Sequence, residues 1–454
     1  MRKPKASSIA ALSLALSMVL AAVNPVLGKV KAIRFIRDAE VENIIRAYAT
    51  PLFHAAGLNP KAIDVYLVND PQLNAFVTPG LNMFIHTGLL IRTDDPLQLI
   101  GVIAHETGHL ALGHTATRGE SLRRSTQGVI ASYVLGLAAA LATGRPEIAA
   151  AVISGGQDIA LKGLLSYTRS QEASADQAAV RFLNGTGQSP RGLLEFMRIM
   201  SGQEVLLIAN QDPYLRSHPL TRDRVAFLEE QLRISPYATT PANPDFVILH
   251  ARMRAKLVGF LQPMEQVLRR YPESDRSLPA RYARAIASYR ESDLTTALER
   301  TTRLIDDYPD DPYFRELKGE MLFENGRGAE ALPSYETAVR LLPESPQLRL
   351  GLAQVMIEMN DPALDRKALG HLAETLRREP SNSFAWRLSA IAYGRDGDVG
   401  LTALALAEGA LARGKPREAR SQAVRAQKIL ARNSAGWLRA ADIETTAARM
   451  AKRR

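Results

Sequence analysis

His105-Glu106-Thr107-Gly108-His109 place two imidazoles four residues apart with a carboxylate beside the first. The surrounding run, residues 97–114, reads Leu-Gln-Leu-Ile-Gly-Val-Ile-Ala-His-Glu-Thr-Gly-His-Leu-Ala-Leu-Gly-His, an apolar helical pattern. Residues four apart share a helix face, so both imidazoles can reach one ion. Glu106 would then stand where a carboxylate can take a proton from metal-bound water. Zinc lowers the pKa of such water to about 7, which supplies a nucleophile at neutral pH. The bland alternative is a chance match on a buried helix. Against it, two histidines and a glutamate in an apolar helix are costly to bury without a metal.

A catalytic zinc takes three protein ligands and keeps one position open. His114 is a poor third ligand, because nine residues from His105 add half a turn to whole turns and point it to the opposite face. The H-E-x-x-H-x-x-G-x-x-H arrangement also fails: Leu112 stands where glycine is needed and Thr115 where the last histidine is needed. With no cysteine in the chain, any ligand set must come from His, Asp and Glu. Glu172, in Ser170-Gln-Glu-Ala-Ser-Ala-Asp176, is the better candidate. Asp176 lies one turn further on the same face, suited to accept a hydrogen bond from a ligating imidazole or to move a proton. On spacing alone, an ordinary charged helix face explains this pair equally well.

Four motifs together resolve that choice. Ala104-His-Glu-Thr-Gly-His109, Glu172-Ala-Ser-Ala-Asp176, Asn74-Ala-Phe76 and Ser217-His-Pro219 form a set that resembles the gluzincin peptidases, which include HtpX and the CAAX prenyl proteases. With a leader-like N-terminus and C-terminal repeats, the chain is most similar to their periplasmic BepA branch. The resemblance runs from about residue 33 to 454, and its catalytic motifs are more specific than its repeats. It implies that His105, His109 and Glu172 hold one zinc per chain, that Glu106 is the catalytic acid/base, and that Asp176 supports them. It gives His218 two roles to choose between: a transition-state donor, or a fourth ligand that closes the open position until its loop moves. An exposed turn histidine is the plain alternative, and Arg224 could brace the same loop. Asn74, Ala75 and Phe76 read as an edge strand on which an extended substrate could pair; simple edge capping is the alternative.

These residues need elements to hold them. Asp38 opens an amphipathic helix, Val65-Tyr-Leu-Val68 is a short strand, and residues 74–80 and 82–86 read as two strands joined at Pro79-Gly80. Asp94-Asp95-Pro96 starts the metal helix, and a second helix runs over residues 170–183. Residues 128–165 are unusually apolar but split by Gly144-Arg-Pro146, so neither half is long enough to span a bilayer. They read as a flap-like helical hairpin over the site, with a membrane-facing patch as the alternative. Pro241-Ala-Asn-Pro244 marks a linker. Beyond it, Tyr308-Pro309 and Leu342-Pro343 recur 34 residues apart, as do Ala297 and Ala331. Gly319, Ala331, Tyr335, Ala338 and Pro343 fall at tetratricopeptide spacing, and the next unit holds about three extra residues around Asp361-Pro362. Three to five repeats are expected.

The expected fold class is an α+β metalloprotease domain, mainly helical with a small sheet, followed by an all-α tetratricopeptide-repeat solenoid. The expected boundaries are a signal peptide over residues 1–28, the peptidase over 31–240 and the repeats over 245–454. Residues 1–5 carry Arg2, Lys3 and Lys5 ahead of an apolar stretch of secretory length. The formal charge is +10, or +7 without those three cations. Attraction to anionic lipid or an acidic partner is compatible with that excess; nucleic acid is not expected, for want of a binding motif. The expected activity is zinc-dependent endopeptidase quality control in the periplasm. Its partners would be unfolded or misassembled envelope proteins and the outer-membrane assembly machinery, reached through the repeats, with peripheral membrane contact. The rival is a chaperone or assembly adaptor with a latent metal site.

Overall fold

The computed structural model describes residues 34–115, 169–201 and 213–452. The expected signal peptide and the apolar segment 128–165 lie outside the described residues. The chain divides into Met1–Phe35 and Ile36–Arg454. The larger unit begins as an α+β domain. Helix α1 (Ala39–Ala55) starts at Asp38, whose side chain accepts from the Val41 amide. Its Val41, Ile44, Ile45, Tyr48 and Leu52 recur at helical spacing and are all buried. Strands β1 (Phe35–Ile36), β2 (Asp64–Val68), β3 (Ala75–Thr78) and β4 (Asn82–His86) make one sheet in the order β1-β2-β4-β3. β2 runs parallel to β4, and β3 runs antiparallel to it. The β3–β4 turn passes through left-handed backbone at Gly80 and Leu81, so the reversal extends one residue beyond Pro79-Gly80.

Short helix α2 (Thr87–Arg92) leads into α3 (Pro96–Ala111), the centre of the domain. Asp95 caps α3 by accepting from the Leu97 amide, with Pro96 in the first turn. Every residue from Pro96 to Leu110 is buried. Around it pack α1, α4 (Arg169–Gly185) and α5 (Arg191–Ser201). The crossing with α5 needs glycine on both helices: a Cβ at Gly101 would sit 2.6 Å from the Leu193 amide nitrogen, and one at Gly192 would sit 2.1 Å from the Leu97 carbonyl oxygen. Helices α6 (Pro213–Ser217) and α7 (Arg222–Ile234) complete the domain.

Helix α8 (Pro244–Leu261) comes after the linker, capped by Asn243. It serves two cores. Met253 and Leu257 join the peptidase core, whereas Ala255 and Val258 pack with Val267, Ala283 and Ala287. After α9 (Met264–Arg270) come α10 (Leu278–Arg290), α11 (Leu294–Asp307), α12 (Pro312–Glu324), α13 (Gly328–Leu341), α14 (Pro346–Glu358), α15 (Pro362–Arg378) and α16 (Ser383–Arg395). The solenoid closes with α17 (Val399–Ala412), α18 (Pro416–Ile429) and α19 (Ala435–Lys452). Helices α10, α12 and α14 start 34 residues apart, and α15 has 17 residues where α11 and α13 have 14. The extra residues lengthen a helix rather than a loop. Gly319 and Gly351 flank the Tyr335 ring, where a Cβ at either would come within 2.7 Å, which is why these positions in successive repeats carry no side chain.

The repeats also grip α1. Glu40 is fully buried, accepting from Arg252 Nε at 2.9 Å and from the Tyr282 hydroxyl at 2.8 Å. Lys256 lies 3.4 Å from the same carboxylate and 2.8 Å from Asp38, and Arg252 also pairs with Asp311 at 2.5 Å. Arg37 reaches Glu379 at 2.6 Å, far along the solenoid.

Candidate metal centre

Helix α3 brings His105, Glu106 and His109 to one buried spot, each at most 1% exposed. The helix that meets them is α4, and it comes unusually close. A Cβ at Gly108 would lie 2.9 Å from the Ala175 carbonyl oxygen, so only glycine lets α4 approach this far. That approach carries Glu172 and Asp176, both fully buried, against the two imidazoles. His218 arrives just after α6 and is 1% exposed.

The donor atoms converge. His105 Nε2 and His109 Nε2 are 3.1 Å apart, and each is 3.4 Å from a Glu172 oxygen. His218 Nδ1 lies 3.4 Å from His105 Nε2 and 3.1 Å from Glu172 Oε1. All four ligand atoms fall within 4.8 Å of one another. Donors about 2.05 Å from a common tetrahedral ion stand roughly 3.3 Å apart, so this set fits one metal ion. The electrostatics agree. Burial pulls the His105 imidazole down, but Asp176 and Glu172 override it and hold its pKa up at about 9. His109 is pushed well below its ordinary range by burial. Burial raises Glu172, yet His218 and the hydrogen bonds from the imidazoles keep it well below the usual carboxylate range. A buried pocket that binds a proton this readily is one where a cation is favourable.

Around these atoms lies a supporting ring. Asp176 is 2.9 Å from His105 Nδ1 and accepts from Arg224 Nε and Nη2 at 2.7 and 2.9 Å. Arg224 Nη1 lies 2.7 Å from Glu172 and donates to the Pro219 carbonyl, so one guanidinium ties two acids to the His218 loop. Glu106 Oε1 is 3.4 Å from His218 Nε2, on the other side of the same ring.

Two residues stand where spacing did not put them. His114 does not point to the opposite face; its Nδ1 is 2.9 Å from His109 Nδ1. The helical arithmetic from His105 fails because α3 ends at Ala111 and Gly113, at φ +68°, turns the chain back. His114 therefore orients His109 from behind, as Asp176 does His105. Tyr214 was not singled out by any motif. Its ring stacks on His218 at 4.6 Å, its amide meets the Leu73 carbonyl, and its buried hydroxyl has no hydrogen-bond partner among the described residues. An aromatic one turn before Ser217-His-Pro219 was the available signal. Asn74, Ala75 and Phe76 lie at and within the edge strand β3; Asn74 and Ala75 are buried, while Phe76 is half-buried and stacks on Phe84.

Residues 36–232 match peptidase family M48, and residues 282–355 and 322–390 match tetratricopeptide repeat models. A beta-barrel assembly-enhancing protease from Yersinia pestis is 26% identical over 345 residues, covering 73% of this chain and 68% of the relative. The protein of that name from Escherichia coli K12 is 24% identical, covering 65% and 61%. The mitochondrial metalloendopeptidase OMA1 of Schizosaccharomyces pombe is 26% identical over 180 residues, covering 39% and 49%. The chain thus spans about half to two thirds of the length of these relatives. The chain carries a metalloendopeptidase domain that is similar to peptidase family M48 over residues 36–232, followed by tetratricopeptide repeats.

Proposed function

We propose that this chain is a zinc-dependent endopeptidase that acts in the periplasm on outer-membrane and other envelope proteins, its repeats recruiting clients. The observation that carries the reading is the meeting of His105, His109 and Glu172 at tetrahedral spacing with Glu106 beside them. Resemblance to beta-barrel assembly-enhancing proteases and the leader-like residues 1–28 support the address and the client class. No helix among the described residues is long and apolar enough to cross a membrane. The assigned regions are a signal peptide over 1–28, the peptidase over 31–240 and the repeats over 245–454.

When bound, zinc supplies an acidified water and polarises the scissile carbonyl. Glu106 would act as the acid/base, taking a proton from the attacking water and passing it to the departing amine nitrogen. Asp176 fixes the His105 ring so that Nε2 faces the centre, and Arg224 keeps Asp176 ionised and in place. An extended client pairs with β3 at Asn74, Ala75 and Phe76, which sets its backbone register.

His218 decides between two states. Its Nδ1 stands among the donors, so His218 would serve as a fourth ligand that keeps the site latent, and movement of the Ser217-His-Pro219 loop would free that position for catalysis. This closed arrangement also favours a second reading, an assembly adaptor that works mainly through its repeats. Two variants separate the readings. Glu106→Gln should keep the metal while cleavage of a casein-type substrate falls about 10²- to 10⁴-fold; normal cleavage by this variant would refute the mechanism. His218→Ala should raise basal cleavage, whereas a loss would assign His218 to transition-state support.

A further inference from the structure

Three consecutive repeats carry an arginine at the same place. Arg281, Arg315 and Arg349 are the fourth residues of α10, α12 and α14, 34 residues apart. Each lines a groove between neighbouring helices, of about 360, 900 and 410 Å³ in turn. Arg303 lines both of the first two.

The arginines share a position but not a partner. Arg281 pairs with Asp307, the last residue of α11, at 2.5 Å. The last residues of α13 and α15 are Leu341 and Arg378, so that acid is missing from the next two repeats. Arg315 Nε is buried with no partner among the described residues. Arg349 instead meets the Pro343 carbonyl at 2.7 Å and His371 at 3.1 Å. Nearby, Lys318 reaches only the Thr302 hydroxyl, and Arg340 and Lys367 in the third groove have no acid within ion-pair distance among the described residues. Cations outnumber carboxylates in both the second and third grooves.

We propose that this ladder docks an extended acidic segment of a partner polypeptide. A buried guanidinium N–H without an acceptor is costly, and a carboxylate supplied from outside removes that cost. Repetition at a fixed period suits a linear chain carrying acids at intervals, rather than a single small anion. This inference deepens the reading that the repeats recruit clients. It is tested by binding, so its failure leaves the catalytic reading standing.

The test is fluorescence anisotropy of the full chain carrying Glu106→Gln, with a labelled peptide of alternating glutamate and alanine and a lysine counterpart. The glutamate peptide should bind with an affinity that falls as salt rises, and the lysine peptide should not. Combining Arg315→Glu with Arg349→Glu should weaken binding about tenfold or more, with an unchanged circular dichroism spectrum. Arg315→Gln, the milder change, should weaken it less, and Arg315→Lys should largely preserve it. Equal binding of both peptides, no binding by the parent chain, or binding unchanged in Arg315→Gln and in the double reversal would overturn the proposal. So would binding to phosphatidylglycerol vesicles without binding to the glutamate peptide.

Discussion

Glu40 at the junction of α1 with the repeats and Glu172 at the junction of α3 with α4 are equally buried, but their surroundings differ in kind. Glu40 is met by Arg252, Lys256 and Tyr282, and Arg252 and Lys256 are met in turn by Asp311 and Asp38. Those cations are permanent and stand one turn apart on α8, each with a second acid, so the cluster closes on itself. Glu172 is met by three imidazoles whose ring nitrogens converge at 3.1–3.4 Å, and by one arginine shared with Asp176. Imidazole nitrogens turned towards one another need a proton or a metal between them. One cluster is a clamp; the other is a socket.

The contrast can be broken at the clamp first. Glu40→Ala leaves Arg252 and Lys256 buried without their shared acid and should cost about 3–5 kcal/mol in urea unfolding. A loss below about 1 kcal/mol would show that water replaces the carboxylate and that the clamp is weak. The effect should extend to the peptidase half, because α1 packs directly on α3.

A smaller effect sharpens the same comparison. His250 of α8 holds the Thr93 carbonyl at 2.8 Å, just before the α3 cap, and burial lowers its pKa to about 4. The folded-state pKa lies below the ordinary 6.5, so the neutral ring is the one the fold prefers. Its contribution is present above pH 6.5 and is lost as pH falls towards 4, by at most about 3 kcal/mol. Melting curves of the wild type and His250→Gln should therefore converge as pH drops through that window. Parallel curves would show that His250 does not titrate with folding.

The sequence made the socket legible and the clamp invisible, for a physical reason. His105, Glu106 and His109 share one helix and Glu172 and Asp176 share another, so spacing groups each set, and the resemblance to gluzincin peptidases joined the two. Helical periodicity also exposed the repeats, because Gly319, Tyr335 and Ala338 answer to contacts one period away. Glu40 and its partners are more than two hundred residues apart, and no local pattern marks a pair that forms only when the solenoid folds back on α1. His114 was misplaced because helix arithmetic was carried past the residue that ends the helix. Arg224 was legible only as a brace for its loop; its hold on both Glu172 and Asp176 depends on α7 meeting α4.

The central claim is that the socket holds a catalytic metal, and metal content measured alongside cleavage tests it most directly. Purified wild-type chain should carry one zinc and digest a casein-type substrate. Glu172→Gln should lose both while keeping its far-ultraviolet circular dichroism, and chelation of the wild type should abolish cleavage until zinc is restored. Undiminished cleavage by the chelated, metal-free wild type would contradict the account.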